Sequence, residues 1–371
     1  MSSEPARIGI IGCGNISGIY CKAGERFEAL HLVACADLVP ERARQQAAEF
    51  DIPKACSPDE LLADPDIEIV VNLTPPGAHA QVAMQAIRAG KCVYNEKPLA
   101  ITRKDGRDLL QAAEEKGVLI GGAPDTFMGA GGQTCRELID QGAIGRPVGA
   151  TAFMLGRGHE TWHPDPEFFY KPGGGPMFDM GPYYLTALVN LIGPVRRVTG
   201  SAQISYPERT ITSEPKRGQK IEVEVPTHVV GVMDFQQGAV GTIITSFDVH
   251  SAPMPRLQVF GSTGTINVPD PNTFGGPVEL WRQETGEWEE VELGRPYADN
   301  SRGLGVADMA RALRAGRPYR ANDRLTFHVL DLMCAFHDAS DRGEHVVLES
   351  TCERPAPLPA DLPDGRVDAE G

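Results

Sequence analysis

The sequence predicts an α/β protein of two domains. An N-terminal doubly wound parallel sheet is followed by a C-terminal α+β domain with a mostly antiparallel open sheet. Three observations carry this. Apolar strands alternate with helices from the N-terminus to Gly121, the rhythm of βαβ units. The first strand runs into a glycine-rich turn, Gly12-Cys13-Gly14. After Ala123 strand-like runs follow one another, several alternating apolar and polar residues as a sheet with one wet face does. The length of 371 residues suits two domains.

Met1 to Arg7 leads into the first strand with no signal peptide before it. Arg7-Ile8-Gly9-Ile10-Ile11 is that strand, and the turn Gly12 to Gly18 opens a helix. Gly12 permits a tight turn and Gly14 lets backbone approach a pyrophosphate, which the helix N-terminus then faces. Ser17 stands where the third glycine of this fingerprint usually falls. The strand His31 to Ala36 ends in Asp37, 23 residues after Gly14, near where an acid grips the adenosine ribose hydroxyls. Such an anion repels a 2′-phosphate, so NAD is favoured over NADP. The other reading of Asp37 is a helix cap before Pro40. A helix over Ala43 to Phe50 and an apolar strand over Ile67 to Leu73 follow, the strand stopping at Thr74-Pro75-Pro76. Ala78 to Ala89 reads as a helix closed by Gly90, Lys91 to Tyr94 as a buried strand, Asp105 to Lys116 as a helix and Val118 to Gly121 as a strand.

In the second half a helix is expected over Gln133 to Gln141, then strands over Val148–Leu155, Arg197–Ile204, Glu222–Phe235, Ala239–Asp248, Arg256–Phe260 and Pro277–Arg282. One strong helix, Gly181 to Leu191, interrupts them, and Val306–Ala315 and Leu325–Ser340 close the domain. The expected division is residues 1–124, 125–352, and a Pro-rich tail from 353 to 371 with four prolines, read as a loose arm.

Composition narrows the function. Hydrophobic residues are 41% and charged residues 23%, ordinary for a globular protein. The net charge of −15 leaves no basic surplus to neutralise phosphates, which argues against a nucleic-acid partner. Eight cysteines occur singly with no Cys-x-x-Cys pair, which suits a reducing cytoplasm rather than a disulfide framework or zinc ribbon. No run of about 18 apolar residues exists to span a membrane.

Three stretches carry candidate chemistry. Tyr94-Asn95-Glu96-Lys97-Pro98 puts a carboxylate and an amine where a parallel strand ends. Pro98 keeps Lys97 out of the helical region, and ligands bind just beyond such strand ends. A solvated turn is the bland alternative. Gly173-Gly174-Gly175 leads through Asp179 to Gly181-Pro182-Tyr183. Asp179 and Tyr183, four apart, share a face if helix has formed by Asp179; alternatively Asp179 is an N-cap and Tyr183 a core residue. His159-Glu160-Thr161-Trp162-His163 matches the zinc-protease pattern His-Glu-x-x-His, but Gly156 and Gly158 before it and Pro164 and Pro166 after it leave no room for the helix that zinc chemistry needs. No metal is expected. His159, Trp162, His163 and Tyr170 read instead as a polar and aromatic wall of a substrate pocket, or as ordinary loop packing.

Together the glycine turn, the helix running into Glu96-Lys97-Pro98, and Gly173-Gly174-Gly175 followed by Asp179 resemble the glucose–fructose oxidoreductase / inositol dehydrogenase (Gfo/Idh/MocA) family, over nearly the whole chain. The resemblance implies a two-domain dehydrogenase with an N-terminal Rossmann domain, often oligomeric through its open sheet. It also implies that Lys97 and Asp179 sit at the reaction centre. Many members carry a histidine four residues after that aspartate. Tyr183 stands there in this chain, as in members resembling glucose–fructose oxidoreductase and dihydrodiol dehydrogenase.

The expected function is an NAD(H)-dependent dehydrogenase or reductase acting on a polyol, sugar or sugar derivative. NAD is expected on Gly12, Gly14, Asn15, Ile16 and Asp37, with Thr74, Pro75 and His79 on the nicotinamide side and Glu96 and Lys97 beside it. The proton of the substrate hydroxyl passes to Lys97 or to Tyr183, with Lys97 favoured because Pro98 fixes its backbone, and Asp179 orients. A cytoplasmic homo-oligomer is expected. An NAD-dependent glycosidase working by transient oxidation, and a non-enzymatic NAD-binding regulator, are the alternatives.

Overall fold

The computed structural model describes residues 4–369. Six parallel strands form the first sheet: β1 (Ala6–Ile11), β2 (Leu30–Ala36), β3 (Lys54–Cys56), β4 (Ile69–Asn72), β5 (Cys92–Asn95) and β6 (Ile120–Gly122), in the order β3-β2-β1-β4-β5-β6. Strands β4 and β5 are buried at every position, as a sheet covered on both faces requires. Helices α1 (Ser17–Arg26), α2 (Pro40–Glu49), α3 (Pro58–Ala63), α4 (His79–Arg88) and α5 (Arg103–Lys116) connect them. The strand order reverses between β1 and β4, so the crevice for a ligand opens where the glycine turn lies. Two short elements of this first domain escaped sequence reading, β3 and α3. Each is too brief for a period to show, although α3 carries a full capping box between Ser57 and Glu60.

Helix α6 (Ala130–Asp140) leads to the second sheet, nine strands in the order β16-β15-β14-β13-β7-β12-β11-β8-β17. Its members are β7 (Pro147–Leu155), β8 (Val195–Gln203), β11 (His228–Phe235), β12 (Val240–Ser246), β13 (Leu257–Gly261), β14 (Gly264–Val268), β15 (Val278–Arg282), β16 (Trp288–Val291) and β17 (Val346–Val347). Only β7 and β12 pair in parallel; the rest are antiparallel. The strand expected over Glu222–Phe235 is two: β10 (Lys220–Glu222) pairs with β9 (Glu208–Thr210) in a separate ribbon, and β11 begins at His228.

Burial in β11 alternates at every residue. Its inner face packs on helix α10 (Asp323–Arg342), so closely that a Cβ on Gly231 would stand 2.2 Å from the Phe336 ring. Helices α7 (Gly175–Asp179) and α8 (Gly181–Leu191) lie on the same sheet, and every residue of α8 is buried.

The last helices return to the first sheet. Arg314 of α9 (Leu304–Ala315) grips both oxygens of Glu68 at 2.7 and 2.8 Å, and Arg103 at the start of α5 binds Asp331 of α10 at 2.5 Å. The Pro-rich tail is no loose arm. Leu358, Leu362 and Val367 are buried, Arg136 donates to the Pro355 carbonyl at 2.8 Å, and Arg26 of α1 pairs with Asp364 at 2.6 Å. Apolar residues between the prolines gave the tail something to bury, which proline content alone did not reveal. Its last two residues, 370 and 371, lie outside the described ones. Among the described residues no helix is long and apolar enough to cross a membrane.

Candidate active site

Lys97 leaves the C-terminal end of β5 through a cis Lys97–Pro98 peptide. Its Nζ donates to Asp179 Oδ1 and to the Asp179 carbonyl, both at 2.8 Å, and lies 5.4 Å from the centroid of the Tyr183 ring. Asp179 ends α7, and Met180 rather than Asp179 is the N-cap of α8. The break between the two short helices turns the Asp179 carboxylate and the Tyr183 ring towards the same ammonium. The side chains of Lys97 and Asp179 are only 17% and 11% exposed. Burial alone would pull the lysine down; Asp179, Tyr183 and Glu96 outweigh it and hold Lys97 above the usual lysine range. Burial would likewise raise the Asp179 carboxyl, but Lys97 and His159 keep it well below the usual carboxylate range. The pair is therefore ammonium and carboxylate. Burial pushes the Tyr183 phenol up, with Glu96 adding to the rise and Lys97 and Arg302 opposing it.

The second oxygen of Asp179 meets His159, whose Nε2 stands 2.9 Å from Oδ2. A carboxylate only accepts, so His159 donates from Nε2. Its ring lies 3.8 Å from that of Phe169 and 5.3 Å from that of Trp162, centroid to centroid. Trp162 is 63% exposed and His163 is half-buried beside Phe168 and Phe169. Tyr170 does not line the pocket. It is fully buried, and its hydroxyl donates to Glu160 while accepting the His159 backbone N–H at 3.3 Å. Glu160 also binds Arg209 at 2.7 Å, and Arg209 reaches Asp248. This buried ion cluster anchors the loop that presents His159. The loop forms only a three-residue 3-10 turn at His159–Thr161, and among the described residues no group of three or more His, Cys, Asp and Glu is placed to hold a metal.

At the other side of the crevice Gly12 has φ +104°, and a Cβ there would stand 2.7 Å from the Leu73 backbone. Gly14, Asn15 and Ile16 are exposed, and a Cβ on Gly14 would meet nothing within 4 Å. No side chain caps α1; the Ser17 N–H bonds the Gly14 carbonyl at 3.0 Å, and the N–H groups that follow it in the first turn are open to an anion. Ser17 is buried and bonds back to the Gly14 carbonyl at 2.6 Å, taking the third glycine's place without filling the crevice. Asp37 receives the Cys13 N–H at 2.9 Å and the Val39 N–H at 2.8 Å, which leaves lone pairs on both oxygens. Next to it Leu38 is 89% exposed.

Two expected cofactor contacts have other partners. His79 is buried, with Nδ1 2.7 Å from the Pro98 carbonyl and Nε2 2.6 Å from the Thr74 carbonyl. It ties the Thr74-Pro75 turn to the Lys97–Pro98 turn, so any part it plays at the crevice is indirect. Glu96 accepts the Tyr20 hydroxyl at 2.8 Å and the Lys97 N–H at 2.9 Å, facing α1. Sequence reading missed Asn72, which bonds Asn95 at 2.9 Å across the ends of β4 and β5 and takes the Thr74 hydroxyl at 2.7 Å. An asparagine closing each of two adjacent buried strands was the available signal. Arg302 was missed as well, since nothing local marks it.

Residues 6–122 match the oxidoreductase family with an NAD-binding Rossmann fold, and residues 133–267 match the GFO/IDH/MocA C-terminal domain. Over 326 residues the chain is 31% identical to dTDP-3,4-didehydro-2,6-dideoxy-alpha-D-glucose 3-reductase of Saccharopolyspora spinosa, covering 84% of this chain and 89% of that one. The chain belongs to the Gfo/Idh/MocA family. Its match to 1,5-anhydro-D-fructose reductase of Ensifer adhaerens is 36% identical over 148 residues, and spans 40% of this chain and only 44% of that relative. The structure of a levoglucosan dehydrogenase in complex with NADH and L-sorbose shares the fold, with a TM-score of 0.81 over 93% of this chain and 99% of that one at 21% identity. The open cradle at Gly14, the uncapped start of α1 and the free lone pairs of Asp37 fit the pyrophosphate and ribose of the NAD that this family's Rossmann domain binds.

Proposed function

We propose that the chain is an NAD(H)-dependent dehydrogenase or reductase that interconverts a secondary alcohol and a ketone on a sugar, cyclitol or sugar derivative. The observation that carries this reading is the convergence of Lys97, Asp179 and Tyr183 at the end of β5, across the crevice from the glycine turn. NAD, when bound, supplies the hydride acceptor. The chain's own residues do the rest. The Lys97 ammonium donates a hydrogen bond to the substrate oxygen, and Asp179 aims that ammonium. Tyr183 takes the hydroxyl proton as the carbon loses hydride. The Lys97–Asp179 ion pair supports Tyr183 over Lys97 as the proton acceptor: Asp179 favours the ammonium form of Lys97, which accepts nothing, while that ammonium favours the ionised phenol of Tyr183, which does accept. His159, Trp162 and His163 line the substrate side. The half-buried outer face of the nine-stranded sheet, Val230, Val232 and Ile244 among it, is the surface for a second copy of the chain.

The test is a screen of polyols, aldoses, glycosides and their keto forms, followed by NADH absorbance. At least one alcohol–ketone pair should give net cofactor turnover. Product release from a glycoside without net NADH would replace this reading by hydrolysis through transient oxidation. No change with any compound would leave only NAD binding.

Asp37→Ala should raise the Michaelis constant for NAD and relax discrimination against NADP, since the acid that binds the ribose hydroxyls and repels a 2′-phosphate is gone. Comparing the two cofactors' kcat/KM before and after substitution checks it. A wild-type preference for NADP would overturn the role given to Asp37.

A further inference from the structure

Arg302 lies outside every motif, yet its guanidinium carbon stands 6.0 Å from the centroid of the Tyr183 ring, while Lys97 Nζ stands 5.4 Å from the same centroid. One phenol therefore has two cations on it. The hydrogen bonds of Arg302 go to neutral oxygens: Asn300 Oδ1 at 2.9 Å, and the Asn272 carbonyl and Oδ1 at 3.2 and 2.7 Å. Among the described residues no carboxylate is in hydrogen-bond contact with it; the carboxylate that opposes its charge is the buried Asp125.

The fold goes to some length to place it. Asp125, just beyond β6, is buried and accepts the N–H groups of Gly303 and Gly305 at 2.9 and 3.0 Å, capping α9 from a remote part of the chain. Gly303 has φ +100°, and a Cβ on it would stand 2.3 Å from that of Ala23 in α1. A Cβ on Gly305 would stand 2.2 Å from the Tyr94 hydroxyl. The turn is thus clamped between the cofactor helix and the end of β6, and Arg302 is the residue immediately before it.

We propose that Arg302 is a positioning residue which, with Lys97, stabilises the phenolate of Tyr183 and so makes Tyr183 the immediate proton acceptor. This rests on the dehydrogenase reading and deepens it. In the oxidation the substrate O–H bond breaks and the proton forms the Tyr183 O–H bond. The carbon's hydride goes to the nicotinamide, so the alcohol is oxidised and NAD reduced. The charged and titratable groups around Tyr183 are Lys97, Arg302, Glu96 and Tyr94, together with Asp179, which is paired to the same Lys97 ammonium. Burial and Glu96 raise the phenol; the two cations lower it. A unit charge about 6 Å away moves a neighbouring ionisation by on the order of one to two pH units in a partly buried site.

The measurement is the ultraviolet tyrosinate titration of the NAD-saturated protein, with the Tyr183→Phe variant subtracted to isolate one phenol among eight. Arg302→Met should raise that midpoint by about one to two pH units, and Arg302→Lys should restore most of the shift. With a substrate from the screen, the rising limb of the oxidation pH profile should move by the same amount. An unchanged midpoint in Arg302→Met, with NAD binding intact, overturns the proposal. Should Arg302→Met fail to fold, Arg302→Gln against Arg302→Lys makes the same comparison, and equal midpoints overturn it. Failure of the substrate screen would sink the dehydrogenase reading without touching the tyrosinate midpoint, so the two failures are distinguishable.

Discussion

Lys97→Ala should lower turnover by two to four orders of magnitude and leave NAD binding nearly intact. The magnitude is about that of a positioned acid–base group, because the Lys97 ammonium both holds the substrate oxygen and favours the ionised phenol of Tyr183 that takes the proton. The binding expectation follows from the geometry: the glycine turn and Asp37 belong to the ends of β1 and β2, while Lys97 closes β5. The substitution also removes the cation from Asp179, leaving His159 as the side-chain partner of that carboxylate. Titration of NAD by protein fluorescence, beside steady-state rates on a substrate from the screen, separates the two effects. Full activity in Lys97→Ala with any good substrate would sink the mechanism and leave a shared fold without its chemistry.

Tyr183→Phe is expected to approach the same loss, and to abolish one limb of the pH–rate profile. A phenol accepts a proton only when ionised, so oxidation should rise with pH through the Tyr183 ionisation. Ketone reduction needs the protonated phenol and should fall through the same range. Burial places that ionisation above the ordinary value of about 10 in the free protein, with Lys97 and Arg302 pulling it back. The limb therefore lies on the alkaline side. If Tyr183 merely donates a hydrogen bond, the loss should be only about tenfold, since such a bond contributes about 1 kcal/mol. Both limbs surviving in Tyr183→Phe would return the proton to Lys97.

Much of this protein is local in sequence and so was legible there. The parallel sheet follows from runs that are apolar on both faces, and the crevice from glycines that alone tolerate the turn between β1 and α1. Lys97 and Asp179 were legible because proline and glycines mark the breaks in regular structure where they stand. The short strands β3, β14 and β16 were not, since three to five residues carry too little period to register. Nor was the packed tail, whose partners Gln133, Arg136 and Arg26 lie far away in the chain.

What only the tertiary structure decided is how charge is shared. That His79 bridges two carbonyls, that Tyr170 supports a loop rather than lining a pocket, and that Arg302 faces Tyr183 are all meetings between distant segments. Side-chain ionisation depends on burial and on neighbours within a few ångströms. Neither is encoded in any short stretch of residues. The sequence by itself therefore determined the two-domain α/β fold and pointed to Lys97, Asp179 and Tyr183, but did not mark Arg302. The packing of the nine-stranded sheet and its helices against the six-stranded one decided which charges surround them.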